Sequence, residues 1–174
     1  MKCIFVGVRV EALEVVKSFF TIKKIYTIKN SRVHIFAKKN KHYFSLVSKK
    51  NKKKIFKDIK KNKTDVIFSA GFPFIIPNRV LQSFNIRLNS HPSLLPKNKG
   101  LSPIKEVYFS KKKKIGVSLH IMNKQVDSGK IIFQDYILKN NLSLEEVYKL
   151  IFTYLEPTVI INGLQKLLIS GNIK

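Results

Sequence analysis

"TDVIFSAGF", residues 64–72, is the stretch that decides the expected fold. It is apolar on both faces of an extended chain and closes on Gly71, a pattern typical of a strand buried in a parallel sheet. Short β-rich runs alternate with helical patterns on either side of it, and that alternation favours an α/β domain. We therefore expect a Rossmann-like, mostly parallel sheet with helices on both faces.

The other elements are predicted from hydrophobic periodicity and turn residues. Strands are expected at residues 2–8, 23–28, 43–48, 85–91, 115–122 and 130–138, and helices at 11–20, 49–63, 77–84 and 102–109. The segment "SRVHIFA" (31–37) is ambiguous. Ser102 is a candidate helix cap, and Ser143 with Glu146 forms a capping-box pattern. The long helix after this box should kink or break near Pro157.

Length and composition fit one domain. The 174 residues are 44% hydrophobic, enough for a single domain spanning residues 1–174 with a sizeable core. The one cysteine, Cys3, excludes an internal disulfide and favours a reducing compartment. The first apolar run is too short for a signal peptide, and no apolar stretch approaches the roughly 20 residues that a spanning helix needs. We expect a cytoplasmic protein with no membrane partner.

The net charge of +24 has two explanations. A large basic excess can mark a nucleic-acid partner, but only four of the 34 basic residues are arginine. Arginine is preferred for bidentate contacts to phosphate and guanine, so a dedicated nucleic-acid binder would usually contain more of it. A solvated lysine-rich surface set by compositional bias is therefore favoured, and a polyanion site stays open. In either case the surface should attract small anions.

Three polar residues lie next to predicted strand ends. Asn89 and His91 close the strand at 85–91, and Asp127 lies in "VDSG" between the last two strands. Ligands bind at the carboxyl ends of strands in open parallel sheets. Taken singly, each residue has an ordinary structural role, since a histidine can be satisfied locally and asparagine and aspartate often bond loop backbone. Together they form a candidate site.

Two separated motifs carry a family resemblance. "NSHPSLLPKNKG" (89–100) followed by "GVSLHIMNKQVDSGKII" (116–132) resembles the folate-dependent formyltransferases. Their catalytic domain carries Asn-x-His, then Pro-Ser-Leu-Leu-Pro and glycine, and an Asp-x-Gly in a strand-pair loop some thirty residues later. The close match covers roughly residues 64–136, and the first sixty residues share only the strand–helix rhythm. Pro92 should end the strand, and the resemblance implies a cis peptide at Leu95–Pro96.

The resemblance assigns catalysis to Asn89, His91 and Asp127. It implies transfer of a formyl group from 10-formyltetrahydrofolate, a co-substrate, to a primary amine. Attack by the amine builds negative charge on the formyl oxygen, and preorganised donors stabilise such an oxyanion by roughly 3 to 4 kcal/mol each. The amide of Asn89 and a protonated His91 are suitable donors. Asp127 is expected to raise the pKa of His91 and to assist the amine's proton loss.

The resemblance also implies a pterin pocket. "SAGFPFIIP" (69–77) resembles the family loop that wraps the pterin ring, and main-chain groups of residues 122–127 would bond its polar edge. Ordinary core packing remains the alternative for each apolar side chain. The candidate cofactor-binding residues are Phe72, Phe74, Ile75, Ile76, Met122 and Val126.

Three classes of acceptor amine compete. Glycinamide ribonucleotide transformylases carry a glycine-rich phosphate loop after the first strand, whereas "GVRVEALE" (7–14) has one glycine. Initiator-tRNA formyltransferases share a G-x-x-P-I element, matched by "GLSPI" (100–104), but they need a further C-terminal β-barrel domain for tRNA. They also usually lack a histidine at the position of His120.

Sugar-nucleotide N-formyltransferases combine the G-x-x-P element with a GV-x-x-H strand and use an anionic nucleotide diphosphate. An amino sugar linked to a nucleotide is therefore the favoured acceptor. Arg9, Lys97 and Lys99 are candidate contacts to the diphosphate, with solvated surface charge as their alternative. Those enzymes commonly have more C-terminal sequence for dimerisation, and a homodimer stays open here.

Metal binding and a purely nucleic-acid-binding role are the least favoured functions. No metal is expected, because the four histidines have no cysteine pairs or carboxylates at ligand spacing. A non-catalytic, basic nucleic-acid-binding relative is the last alternative, and the intact trio argues against it.

Overall fold

The computed structural model describes residues 1–171, in which the chain divides into two compact units. The first unit is Met1–Asn89, and the second begins at Ser90. The strands of the first unit are β1 (Lys2–Gly7), β2 (Thr21–Thr27), β3 (Phe44–Leu46), β4 (Val66–Ala70) and the start of β5 (Ile86–His91). Its helices are α1 (Val10–Phe19), α2 (Arg32–Lys39), α3 (Lys52–Lys61) and α4 (Asn78–Leu81).

The first unit is built on parallel strand pairs. β1 pairs in parallel with β2 and β4, and β2 pairs in parallel with β3. Every residue of β4 is buried, as is β1 from Cys3 onward, so both faces of these two strands are covered. The rings of Phe5 and Phe68 stack with centroids 6.3 Å apart across this pair. The apolar run at residues 64–72 thus forms a central buried strand, as predicted.

Two helices of the first unit bear on the sequence predictions. α3 buries Ile55, Phe56 and Ile59, which confirms the amphipathic helix predicted among the lysines. The ambiguous segment at 31–37 is helical. Its start is fixed by Ser31, whose hydroxyl oxygen accepts a hydrogen bond of 3.1 Å from the backbone N–H of His34.

The second unit contains one antiparallel strand pair and three α-helices among its described residues. β6 (Lys114–Ile121) pairs with β7 (Ile131–Leu138) as a hairpin. The helices are α5 (Pro103–Tyr108), α6 (Leu144–Leu150) and α7 (Glu156–Ile169). The capping box of Ser143 and Glu146 is present at α6. Ser102 precedes α5, but its side chain makes no capping bond, because its backbone (ψ 44°) departs from the extended geometry of a side-chain cap.

The irregularity expected near Pro157 takes the form of a π-helical turn directly before it. A π-helical turn, Ile151–Leu155, joins α6 to α7, and the N–H of Glu156 bonds to the carbonyl of Ile151. Pro157 then lies in the first turn of α7 and has no backbone N–H to bond back into the π-helical turn. The π-helical turn therefore accommodates Pro157, and the chain stays helical through it.

The seven strands follow the order β3-β2-β1-β4-β5-β6-β7 in one mostly parallel sheet with accompanying helices. This confirms the predicted Rossmann-like α/β class. No helix within residues 1–171 is both long enough and apolar enough to cross a membrane.

We predict that Gly7→Ala destabilises the first unit. A Cβ atom at Gly7 would lie 2.1 Å from the carbonyl oxygen of Ala70, so β1 and β4 would have to separate. Overpacking of this kind reduces the free energy of unfolding by about 1 to 3 kcal/mol. Urea unfolding followed by circular dichroism measures the loss. Thr21→Ala, an exposed position on β2, is the control and should change it by less than about 0.5 kcal/mol. Equal stability of the two variants would contradict the prediction.

Candidate active site

The loop of the β6–β7 hairpin fixes the position of Asp127. Asp127 has φ +49°, in the left-handed region that aspartate adopts more readily than most residues. Two residues later, a Cβ atom on Gly129 would lie 1.7 Å from the carbonyl oxygen of Ile121, so only glycine fits. The backbone N–H of Ile121 bonds to the carbonyl of Lys130 at 2.9 Å and closes the loop. The Asp-Ser-Gly sequence therefore holds the carboxylate at the hairpin end.

The carboxylate of Asp127 lies between two imidazoles. Oδ2 is 3.6 Å from Nδ1 of His91, and Oδ1 is 3.6 Å from Nε2 of His120. All three side chains are at most 9% exposed. A carboxylate largely removed from water interacts strongly with nearby positive charge. The negative charge of Asp127 therefore faces both rings.

The second nitrogen of each ring faces a backbone carbonyl. Nε2 of His91 lies 3.2 Å from the carbonyl oxygen of Asn98, and Nδ1 of His120 lies 3.1 Å from that of Ile121. A carbonyl oxygen only accepts hydrogen bonds, so each of these nitrogens is the donor. The backbone N–H of Gly100 donates to Oδ2 of Asp127 at 3.2 Å. Backbone groups of residues 98–100 therefore contact two of the three side chains.

The pKa of Asp127 reflects opposing effects. Burial alone would raise the pKa of this carboxyl group. The facing imidazole of His120, the charge of His91 and the N–H of Gly100 together outweigh burial and hold the pKa below its ordinary value. The carboxylate form is therefore the one that this site stabilises.

The segment after β5 is tied to β6. β5 ends at His91, directly before Pro92, and the Leu95–Pro96 peptide is cis, both as expected. The hydroxyl of Ser118 lies 2.7 Å from the carbonyl of Ser93 and accepts a hydrogen bond of 3.1 Å from the backbone N–H of Leu95. These contacts hold the chain that leaves His91.

The structure brings two members of the predicted trio together, His91 and Asp127. Asn89 is half-buried on β5, two positions before His91, and alternate residues of a strand point to the same side. Its part in catalysis stays a prediction, as do the catalytic roles of the other two.

The candidate cofactor residues differ in exposure. In the first unit, Phe72 and Phe74 are half-buried, with their rings edge to face and centroids 5.6 Å apart. Ile75 is 73% exposed, whereas Ile76 is buried. In the second unit, Met122 is half-buried and Val126 is 46% exposed. The buried side chain of Ile76 fits core packing, and the others remain candidates for contact with a ring.

The candidate phosphate contacts are also accessible. The half-buried Arg9 side chain lies against Gly71, since a Cβ atom there would be 2.9 Å from its Nε. Lys97 and Lys99 are exposed. Within residues 1–171, no group of three or more histidine, cysteine, aspartate or glutamate side chains could hold a metal ion.

His120 was not among the site residues predicted from the sequence. It served there only to distinguish the classes of acceptor amine. A usable signal was present, because His120 lies near the end of β6 and Asp127 lies in the loop that directly continues from the same strand. The backbone contacts from Asn98 and Gly100 have no comparable signal in the sequence.

Comparisons with known proteins agree on one family. The family described as formyl transferase matches residues 13–161. The methionyl-tRNA formyltransferase of Thermotoga maritima is 28% identical over 100% of this chain and 60% of its own length. The bifunctional polymyxin resistance protein ArnA of Wigglesworthia glossinidia brevipalpis is 40% identical over 44% of this chain and 12% of its own. The match spans between about a third and three fifths of the length of the methionyl-tRNA formyltransferases compared.

A solved structure extends the likeness to the fold. The phosphoribosylglycinamide formyltransferase of Campylobacter jejuni superposes with a TM-score of 0.82 at 25% identity, covering 97% of this chain and 98% of that one.

We predict a pH-dependent contribution of Asp127 to stability. Its folded-state pKa lies below the ordinary value, so the carboxylate stabilises the fold above about pH 4 and ceases to do so as the pH falls through the folded-state pKa. Asp127→Asn removes this contribution. Urea unfolding should therefore separate wild type from variant at pH 5, and the difference should shrink below about pH 4.

Asp135→Asn is the matched control, because the Asp135 carboxylate accepts a hydrogen bond from the backbone N–H of Tyr136. A wild-type advantage over Asp127→Asn that is the same at pH 2.5 and pH 5 would count against the proposed interactions.

Proposed function

Because this chain belongs to the formyl transferase family, we propose that it transfers a formyl group from 10-formyltetrahydrofolate to a primary amine. The family uses 10-formyltetrahydrofolate as its formyl donor. The observation that carries the proposal is the buried contact of His91 with Asp127 at the end of β5. A charged carboxylate and an imidazole at this distance supply a proton acceptor and a donor at one place.

The proposed chemistry assigns one task to each residue. The amine nitrogen attacks the formyl carbon, and negative charge develops on the formyl oxygen. The side-chain amide of Asn89 donates to that oxygen, as does the Nε2–H of His91 once it exchanges the carbonyl of Asn98 for the formyl oxygen. Asp127 holds the His91 ring through Nδ1 and accepts the proton that the amine loses, directly or through water. The oxyanion then collapses to a carbonyl, the bond from the formyl carbon to the folate nitrogen breaks, and that nitrogen takes the proton from Asp127, directly or through water.

The second histidine supports Asp127 in this scheme. His120 is nearly fully buried, and its ring is held at both nitrogens, toward the carbonyl of Ile121 and toward Asp127. A ring held in this way fixes the second oxygen of the carboxylate. Asp127 therefore keeps one orientation, with Oδ2 facing His91.

The exposed side chain of Val126 supports the proposed pterin contacts. Val126, in the hairpin loop of the second unit, is 46% exposed. A flat ring gains affinity by covering such an apolar side chain. Main-chain groups of residues 122–127 would bond its polar edge.

For the acceptor, we propose the amino group of a nucleotide-linked amino sugar. The turn after β1 contains "GVRVEALE" and lacks the glycine-rich sequence of a phosphate loop. "GLSPI" leads into α5, and His120 lies on β6 as in the GV-x-x-H strand. Exposed Lys97 and Lys99 suit a diphosphate.

Methionyl-tRNA and glycinamide ribonucleotide are the two other candidate acceptors, because relatives of this chain are named for them. The methionyl-tRNA formyltransferase of Thermotoga maritima matches the whole chain, and the phosphoribosylglycinamide formyltransferase of Campylobacter jejuni shares its fold. A direct assay separates the three. Purified protein is mixed with 10-formyltetrahydrofolate and, in turn, an amino-sugar nucleotide, glycinamide ribonucleotide and methionyl-tRNA, and release of tetrahydrofolate is measured. Turnover with the amino-sugar nucleotide alone supports the proposed acceptor, and turnover with another amine alone rejects it.

A basic nucleic-acid-binding relative without activity is the remaining alternative. It predicts no turnover with any of the three amines, together with oligonucleotide binding that weakens steeply with salt. The active-site proposal predicts turnover that depends on His91. A cytoplasmic location remains a prediction, and a homodimer stays open.

We predict that His91→Ala lowers kcat by at least about 100-fold, the scale of losing one oxyanion donor. His34→Ala is the matched control, because that ring lies on α2 against Phe44 in the first unit. It should retain turnover within about 3-fold, as expected for a substitution away from the chemistry. Initial rates at saturating donor and acceptor decide between the two outcomes. An active His91→Ala enzyme would exclude His91 from the mechanism.

A further inference from the structure

A buried carboxyl group contacts the residue next to His91. The hydroxyl of Ser90 donates a hydrogen bond of 2.6 Å to Oε1 of Glu156. Ser90 is 2% exposed and Glu156 is 0% exposed. Among residues 1–171, Glu156 is the one aspartate or glutamate that is completely buried. The mechanism proposed above makes no use of it.

The π-helical turn accounts for the inward position of Glu156. In this turn the N–H of Glu156 bonds to the carbonyl of Ile151, five residues earlier instead of four. The extra residue rotates the succeeding helix by about one helical position, roughly 100°. Leu155 and Glu156 are consequently both buried, as are Val159 and Ile160 one turn later. The irregular turn thus brings an acidic side chain into the apolar face of the helix.

Such a placement is unfavourable by itself. Removing a carboxyl group from water destabilises a fold unless hydrogen bonds replace the lost solvation. π-helical turns are rare and occur often at functional sites. A buried acid carried by such a turn, with a short bond to the residue before His91, therefore indicates a role at the site.

We propose that Glu156 is a positioning residue that acts through Ser90 to fix the imidazole of His91, and this inference rests on the proposed formyl transfer. Successive residues of a strand point to opposite faces, so a bond at Ser90 sets the tilt of the strand that aims His91.

The strand end needs such a bond because the β ladder stops at Pro92. Proline has no backbone N–H, so the ladder cannot continue through it. The carbonyl of His91 already accepts a hydrogen bond of 2.8 Å from the backbone N–H of Ser93, in a tight turn. The Ser90–Glu156 bond holds the last residues of the strand from the face opposite to His91. A displacement of about 1 Å at a catalytic group can lower the rate on the order of 100-fold.

The test is a double-mutant cycle between Ser90 and His91. Ser90→Ala alone should lower kcat about 10-fold and change either KM by less than about 3-fold, because positioning affects the chemical step. In a His91→Ala background the same substitution should lower kcat by less than about 2-fold, because its effect passes through the missing ring. Ser110→Ala is the control, because it removes a serine hydroxyl that donates to a backbone carbonyl, that of Val107. An equal loss from Ser90→Ala in both backgrounds, or no loss in either, would overturn the proposal.

A second pair of variants tests the carboxyl side. Glu156→Gln keeps an oxygen that accepts from Ser90 and should retain kcat within about 3-fold, whereas Glu156→Met keeps the volume without an acceptor and should match Ser90→Ala. Equal rates for the two variants would reject a role for the bond.

A readout independent of activity separates this inference from the proposed function. NMR titration of the His91 ring should change in Ser90→Ala and Glu156→Met but not in Glu156→Gln. Wild-type protein without formyl transfer rejects the proposed function alone, whereas unchanged ring titrations in an active enzyme reject the positioning role alone.

Discussion

The carboxylate of Asp127, held between two imidazoles, is the constraint on which the second unit depends. A charged group so far removed from water is stable only when opposite charge or donors surround it. His91, His120 and the N–H of Gly100 provide that surrounding, from a strand end, a neighbouring strand and a loop. Gly129 in the hairpin loop, the hydrogen bonds of Ser118 and the bond from Ser90 to Glu156 on α7 all hold these groups in place. Their geometry explains why the chain keeps polar side chains where an apolar core would be more stable.

Much of the fold was predictable because periodicity is a local property. The buried run at 64–72, the lysine-flanked stripe of α3 and the capping box at Ser143 each depend on residues close together in sequence, and each prediction is confirmed. The ambiguous segment at 31–37 was decided by one side-chain cap at Ser31. The π-helical turn could not be inferred, because proline predicts a disruption of the helix without specifying which irregular geometry relieves it.

Only the site residues that belong to the two sequence motifs could be predicted. His91 and Asp127 belong to the two motifs and lie together in the structure, but the partners that fix them do not. The carbonyl of Asn98 and the N–H of Gly100 are backbone groups, which any sequence would supply. Glu156 lies 65 residues from His91 along the chain, on a helix whose sequence suggests only amphipathic packing. Long-range contacts of this kind depend on tertiary structure, and a single sequence records them weakly.

Ser90 and His91 show how one strand end can be fixed from both faces. They are consecutive residues, and the alternation of a β-strand directs them to opposite sides. Each contacts a carboxyl group, Glu156 on one side and Asp127 on the other. A strand held on one face alone could still rotate about its axis, particularly where Pro92 removes the next ladder bond. Contacts on both faces oppose that rotation, so the rigidity of His91 is a property of the pair. Loss of either contact should therefore loosen the same imidazole, through different atoms and with different consequences for proton transfer.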